Sequence, residues 1–253
     1  MSLLQVNLGS AQLNHTVTLH AIIPMNAKTP LRTLYLLHGM YGNYTDWLYN
    51  TRILLWAQEH NIAVIMPSAE NSYYVDQPQK MSNYAKFVGE ELIEMTRYLF
   101  PLSTKKEDTY IGGLSMGGYG AMKLGLSYPE TFSKIAALSS AFITDDLDAL
   151  TQKSEAFSPR RDFFASTFGD LTKVKGSLND PKRLILDLQK ANTPLPEMYL
   201  ACGTEDFLIN ENRDFHNFLT KEKVAHTYLE STGDHNWAFW DEYIEKVLIW
   251  LNK

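Results

Sequence analysis

Gly113-Leu114-Ser115-Met116-Gly117 holds a serine between two glycines, directly after the short apolar run Thr109-Tyr110-Ile111. A nucleophilic serine at the end of a strand must sit on a turn so tight that its backbone is strained and the strand and the following helix nearly touch. Glycine is the residue that leaves room for this. The flanks agree: Asp108-Thr109-Tyr110-Ile111-Gly112 reads as a short buried strand, and Tyr119-Gly120-Ala121-Met122-Lys123-Leu124-Gly125-Leu126 as a helix of small residues packed close to it. This strand–turn–helix context is that of a nucleophile elbow. The plainer reading is a Gly-rich turn whose serine caps the helix.

Outward from the elbow, apolar runs alternate with helical stripes. Thr33-Leu34-Tyr35-Leu36-Leu37-His38, Ile62-Ala63-Val64-Ile65-Met66, Ile135-Ala136-Ala137-Leu138 and Met198-Tyr199-Leu200-Ala201-Cys202 are nearly continuous apolar runs, as strands covered on both faces require. His15 to Ile23 alternates with period two, the mark of a half-exposed strand near a sheet edge. Ala85, Val88, Leu92, Met95 and Leu99 recur at helical spacing, as do Trp240, Tyr243, Ile244, Val247, Trp250 and Leu251. The expected fold is α/β, with a mostly parallel central sheet, helices on both faces, and one domain over residues 1–253. Ligands then bind at the carboxyl ends of the strands. From Ser139 to about Lys190 no convincing strand is found, and Phe142, Phe157, Phe163, Phe164 and Phe168 stand among charged residues. This segment is either a small helical cap-like insertion that shapes a pocket or an insertion that completes the core.

Composition excludes several classes. A length of 253 residues, 45% apolar and 21% charged, suits a soluble globular chain. The net charge of -6, with no basic cluster beyond pairs such as Lys105-Lys106 and Arg160-Arg161, argues against a nucleic-acid partner. No apolar run has the length of a membrane span, and the first residues lack the pattern of a signal peptide, so no membrane partner and a cytoplasmic setting are expected. The single cysteine, Cys202, permits no internal disulfide and reads as a small buried hydrophobe. Oligomeric state is open, a homo-oligomer included.

A serine hydroxyl is a poor nucleophile at neutral pH, so the elbow needs a histidine to take its proton and a carboxylate to orient that histidine. Of seven histidines, only His216, His226 and His235 follow Ser115. His216 falls in a helix-like segment and His226 begins a strand, whereas His235 stands in the loop Ser231-Thr232-Gly233-Asp234-His235-Asn236, between the last strand and the last helix. The acid belongs after an intervening strand, and Met198 to Cys202 runs into Gly203-Thr204-Glu205-Asp206-Phe207. Asp206 is the choice, Glu205 the runner-up, and Asp234 too close in sequence to His235 to align its ring. Asp206 could also cap the helix starting near Leu208, a role hard to combine with orienting a histidine. An oxyanion hole needs two backbone N–H donors, one from Met116 and another from an earlier loop. His38-Gly39-Met40-Tyr41-Gly42 lies in that place, with Met40 as donor and His38 bracing the loop. Trp47, Tyr73, Tyr74 and Trp237 flank these loops as candidate pocket walls or as ordinary packing. No metal-ligand spacing is present, and this chemistry needs no metal or organic cofactor.

Leu36 to Trp47, Ile111 to Ala121, Cys202-Gly203-Thr204-Glu205-Asp206 and Gly233-Asp234-His235-Asn236-Trp237 together resemble the esterase D superfamily, and more narrowly the bacterial tributyrin esterases. The resemblance runs over essentially the whole chain, including Phe168-Gly169-Asp170 and Asn179-Asp180-Pro181. It implies an α/β-hydrolase fold and a serine carboxylesterase acting on small ester substrates with short acyl chains. Acetyl xylan esterases, feruloyl esterases, S-formylglutathione hydrolases and acyltransferases are the alternatives within the superfamily, with a non-catalytic binding relative beside them. Formylglutathione hydrolases typically carry a His-Gly-Leu-Thr-Cys loop, where this chain has Met40, Tyr41 and Gly42 after His38-Gly39 and no cysteine.

Overall fold

The computed structural model describes residues 1–25, 27–153 and 160–253. Eight strands form one sheet: β1 (Ser2–Ser10), β2 (His15–Ile23), β3 (Arg32–Leu37), β4 (Ile62–Pro67), β7 (Thr109–Leu114), β8 (Lys134–Leu138), β9 (Glu197–Gly203) and β10 (Thr227–Ser231), with β5 (Asp76–Gln77) and β6 (Ser82–Asn83) as a separate short hairpin. The order across the sheet is β1-β2-β4-β3-β7-β8-β9-β10. From β4 to β10 every pairing is parallel, while β2 lies antiparallel to both β1 and β4.

The parallel strands are apolar throughout because helices cover both faces. Successive residues of β3 part company: Tyr35 and Leu37 enter the core on one face, Leu34 and Leu36 the core on the other. The second core is closed by α1 (Asp46–Asn50), α2 (Ile53–His60) and α10 (Trp237–Leu251), which contribute Trp47, Trp56 and Val247. The first is closed by α3 (Tyr84–Lys86), α4 (Leu92–Leu99), α5 (Met116–Ser127), α8 (Pro181–Lys190) and α9 (Ile209–Lys221), with Val88, Tyr119, Ile185 and Phe215 among the buried side chains. No helix among the described residues is long and apolar enough to cross a membrane.

Two expectations shift. The strand at His15–Ile23 does lie near the sheet edge, one strand in, but it is mostly buried rather than half-exposed, because β1 pairs along its whole length; β1 itself alternates, with Leu4, Val6 and Leu8 turned inward and Leu3, Gln5 and Asn7 exposed. The helical stripe from Ala85 is interrupted by a π turn at Phe87–Glu91 between α3 and α4. Ala85, Val88 and Leu92 are buried, but the wider turn rotates the following face, leaving Met95 half-buried and Leu99 exposed.

The segment after β8 carries α6 (Leu147–Lys153), α7 (Arg161–Phe168) and α8. Its aromatics mostly complete the core. Phe142 stacks on Phe215 with centroids 4.0 Å apart, and Phe163, Phe164 and Phe168 surround Tyr73 at 5.3–6.3 Å. Phe157 lies outside the described residues.

Candidate active site

Ser115 sits between β7 and α5 with φ 54° and ψ -119°, a conformation that costs an L-residue on the order of 1–3 kcal/mol. Its surroundings hold it there. The Ser115 N–H donates to the Leu138 carbonyl at 2.9 Å, and its own carbonyl accepts from Tyr119 and Ala141 at 3.1 and 3.0 Å. The glycines permit the crossing: a Cβ on Gly117 would lie 2.5 Å from the carbonyl oxygens of Leu37 and His38, and one on Gly113 2.5 Å from the Gly117 backbone. The serine side chain makes no capping bond to α5, which disposes of the plainer reading of the motif.

His235, in the loop from β10 to α10, reaches this hydroxyl. Its Nε2 is 3.1 Å from Ser115 Oγ, and its Nδ1 lies 2.8 and 3.0 Å from the two carboxylate oxygens of Asp206. With Nδ1–H donating to the carboxylate, Nε2 is left as the acceptor of the serine proton. Phe207 and Trp240 hold the ring from two sides, at 4.6 and 4.9 Å between centroids. Asp206 is buried in the loop after β9. Burial pushes its carboxyl up, but the His235 hydrogen bond and charge, with the Leu208 N–H and Ser139, outweigh that and hold it below the usual aspartate value.

Asp206 also accepts the Leu208 N–H at 2.8 Å. Asp206 is not the cap of α9, whose N-cap is Leu208; its bond to Leu208 fixes the turn before that helix and leaves both oxygens facing the histidine. Glu205 accepts from the N–H of Gly233 and so braces the histidine loop, and Asp234 accepts from the N–H of His235. His216 and His226 bond to each other at 2.7 Å, on α9 and just before β10.

The loop after β3 faces the elbow. His38 is buried, with Nδ1 2.7 Å from the Gly39 carbonyl and Nε2 accepting from the Ala69 N–H at 2.9 Å; burial pushes its pKa down to about 4, so the ring is a neutral brace. Tyr74 donates to the His38 carbonyl at 2.9 Å, and Tyr73 to the Met40 sulfur at 3.4 Å. Both tyrosines are left-handed, at φ 54° and 52°, which turns one behind the loop and the other under Met40. As the first residue of α5, Met116 has no helical acceptor for its N–H. The Met40 N–H likewise donates to no backbone acceptor among the described residues. Ser115 and His235 open into a cavity of about 550 Å³ walled also by Met40, Tyr73, Phe207 and Trp237.

Residues 10–251 match the family described as putative esterase. The chain belongs to this family. It is 41% identical over 263 residues to the acetyl esterase of Caldicellulosiruptor saccharolyticus, spanning 100% of this chain and 99% of that one. Among solved structures it is similar to a substrate-bound fluorophosphonate-binding serine hydrolase of Staphylococcus aureus (31% identity, TM-score 0.87, 100% and 98% covered). It is also similar to an S-formylglutathione hydrolase of that organism (30% identity, TM-score 0.87, 100% and 99% covered). The fold is the α/β-hydrolase fold, and the protein is a carboxylic ester hydrolase.

In this esterase, Tyr73 and Trp237 line the cavity as expected, whereas Trp47 and Tyr74 do not. Trp47 is buried with Nε1–H donating to the Leu37 carbonyl at 3.0 Å and its ring edge-on to Trp237, so it supports the wall from behind. Tyr74 is spent on His38. The sequence reading missed Phe207, next to the acid, and Asp46, whose half-buried carboxyl is pushed up by burial. It also missed Arg160, directly before α7 in the cap-like segment, over Tyr41 at 5.7 Å. Phe207 and Asp46 stand within the quoted motifs and could have been named; Arg160 had no local signal. The segment after β8 thus does both things weighed for it, sending Ala141 and Arg160 to the cavity and its phenylalanines to the core.

Proposed function

We propose that this esterase cleaves esters of short acyl chains by two-step acyl transfer, with Ser115 as nucleophile, His235 as general base then acid, and Asp206 orienting the imidazole. The observation that carries this is His235 lying 3.1 Å from Ser115 Oγ and 2.8 Å from Asp206 at once. Ser115 attacks the ester carbonyl as His235 takes its proton; the N–H groups of Met40 and Met116 receive the oxyanion; the alcohol leaves with the proton from His235. Water then repeats the sequence on the acyl-enzyme, releasing the acid. The aromatic walls and the modest cavity favour acetyl to butyryl groups.

A thioester such as S-formylglutathione is a second reading, supported by the likeness to the staphylococcal hydrolase. The loop sequence His38-Gly39-Met40-Tyr41-Gly42 speaks against it. The cytoplasm is the compartment we propose, in keeping with a single buried cysteine whose thiol is pushed up by burial.

The test is turnover across nitrophenyl esters of increasing acyl length, with an acetylated sugar, a feruloyl ester and S-formylglutathione in the same panel. Acetyl or butyryl esters are expected to lead, and Ser115→Ala to lower their turnover on the order of 10⁴-fold. Unchanged turnover in that variant rejects the reading.

A further inference from the structure

A second cavity, of about 720 Å³, opens between α5, α8 and the β5–α3 corner, and shares no lining residue with the one at Ser115. Its most unusual wall is Lys123. This side chain is 6% exposed, yet no acceptor among the described residues hydrogen-bonds its ammonium and no carboxylate pairs with it. Burial pushes its pKa down to about 8, only partly offset by the charge of Asp76. The ammonium is not fully sealed from solvent and opens to the cavity, where an anion can replace the water beside it.

The acids nearby are engaged or peripheral. Asp76 accepts the N–H groups of Ala85 and Lys86 at 2.9 and 3.2 Å, Asp187 accepts Arg183 Nε at 2.7 and 2.8 Å, and Glu130 is exposed at the rim. Leu126, Leu184 and Leu188 supply apolar walls beside the ammonium. One ammonium that Asp76 only partly offsets, apolar walls and further acids that repel a polyanion select for a ligand with a single negative charge and a short apolar tail.

We propose that this cavity is a second binding site, taking a small aliphatic monocarboxylate whose carboxylate pairs with Lys123 and whose tail lies on Leu126, Leu184 and Leu188. Such acids are what ester hydrolysis at Ser115 releases, so the site is fitted to sense the enzyme's own class of product. Occupancy itself does not depend on the esterase mechanism.

The experiment is calorimetric titration of butyrate into protein whose active site has been blocked by a serine-directed phosphonate, with labelling verified by mass. Absent labelling would count against the role of Ser115, not against this site, and the titration then proceeds on unlabelled protein with the same variants. The expected result is saturable one-to-one binding, weakened at least tenfold in Lys123→Met and, independently, in Leu188→Trp, which fills the cavity and keeps the ammonium. Inorganic phosphate is expected not to compete, and hydrolysis of nitrophenyl acetate to stay within about twofold in both variants. Should Lys123→Met fail to fold, Leu188→Trp decides. No saturable binding, unchanged affinity in either folded variant, or displacement by phosphate overturns the proposal.

Discussion

The elbow around Ser115 and the segment from Ser139 to Lys190 both wall the cavity, but they are built differently. At the elbow, backbone meets backbone: Gly113 and Gly117 lie where a single added Cβ would strike the carbonyls of Leu37 and His38 or the neighbouring strand–helix turn. In the later segment, side chain meets side chain: Phe142 finds Phe215, and Phe163, Phe164 and Phe168 find Tyr73, partners separated by 73 to 95 residues. Backbone crowding leaves one permitted residue per position, while aromatic packing accepts many solutions of similar volume. The first kind of structure should therefore break sharply and the second gradually.

The sharpest break is chemical. Ser115→Ala should cost on the order of 10⁴-fold in turnover of nitrophenyl acetate with no loss of stability, measured by kinetics beside urea unfolding. Next comes the crossing itself: Gly117→Ala should destabilise by roughly 4 kcal/mol or more and abolish activity, since only backbone atoms could yield. A cost below about 1 kcal/mol would mean that the strand and helix do not touch. In the aromatic cluster, Phe164→Ala should cost about 3–4 kcal/mol as a cavity, yet leave turnover within about tenfold of the parent. Equal losses of activity in Phe164→Ala and Gly117→Ala would erase the contrast.

The brace behind the loop after β3 adds a pH dependence. His38 is held neutral in the fold, with its pKa pushed down to about 4 from 6.5, so between those values the unfolded chain binds more protons. Stability from the neutral ring is complete above pH 6.5 and is lost as pH falls toward 4, by up to about 3 kcal/mol. Unfolding free energies across that range should show the slope in the parent and lose most of it in His38→Asn. The smallest effect belongs to the exposed rim: Tyr41→Ala removes one side of the contact with Arg160 and should change KM by only a few-fold, with stability within about 1 kcal/mol.

The same contrast explains what could be read from the sequence. The parallel strands, the elbow, the acid and histidine loops and the oxyanion loop each carry a local signature, in continuous apolar runs, in paired glycines, and in Asp206 and His235 placed just after strands. Whether an aromatic faces the cavity does not. Trp47 and Trp237 are both tryptophans beside loops of the candidate site, and only the indole bond of Trp47 to Leu37 turns one inward. Arg160 reaches the cavity from a segment with no periodic pattern, and the alternation of β1 is blurred in sequence by Leu3, an apolar residue on its exposed face. The dual use of Asp206 is likewise a matter of two oxygens and a turn.

We propose that Ser115 is made nucleophilic by His235 and Asp206. Reaction with a serine-directed phosphonate, followed by peptide mapping, tests it most directly. One adduct is expected on the peptide holding Ser115, absent in Ser115→Ala and formed at least 100-fold more slowly in His235→Ala and Asp206→Asn. Labelling at another residue, or at Ser115 with the same rate in His235→Ala, would contradict it.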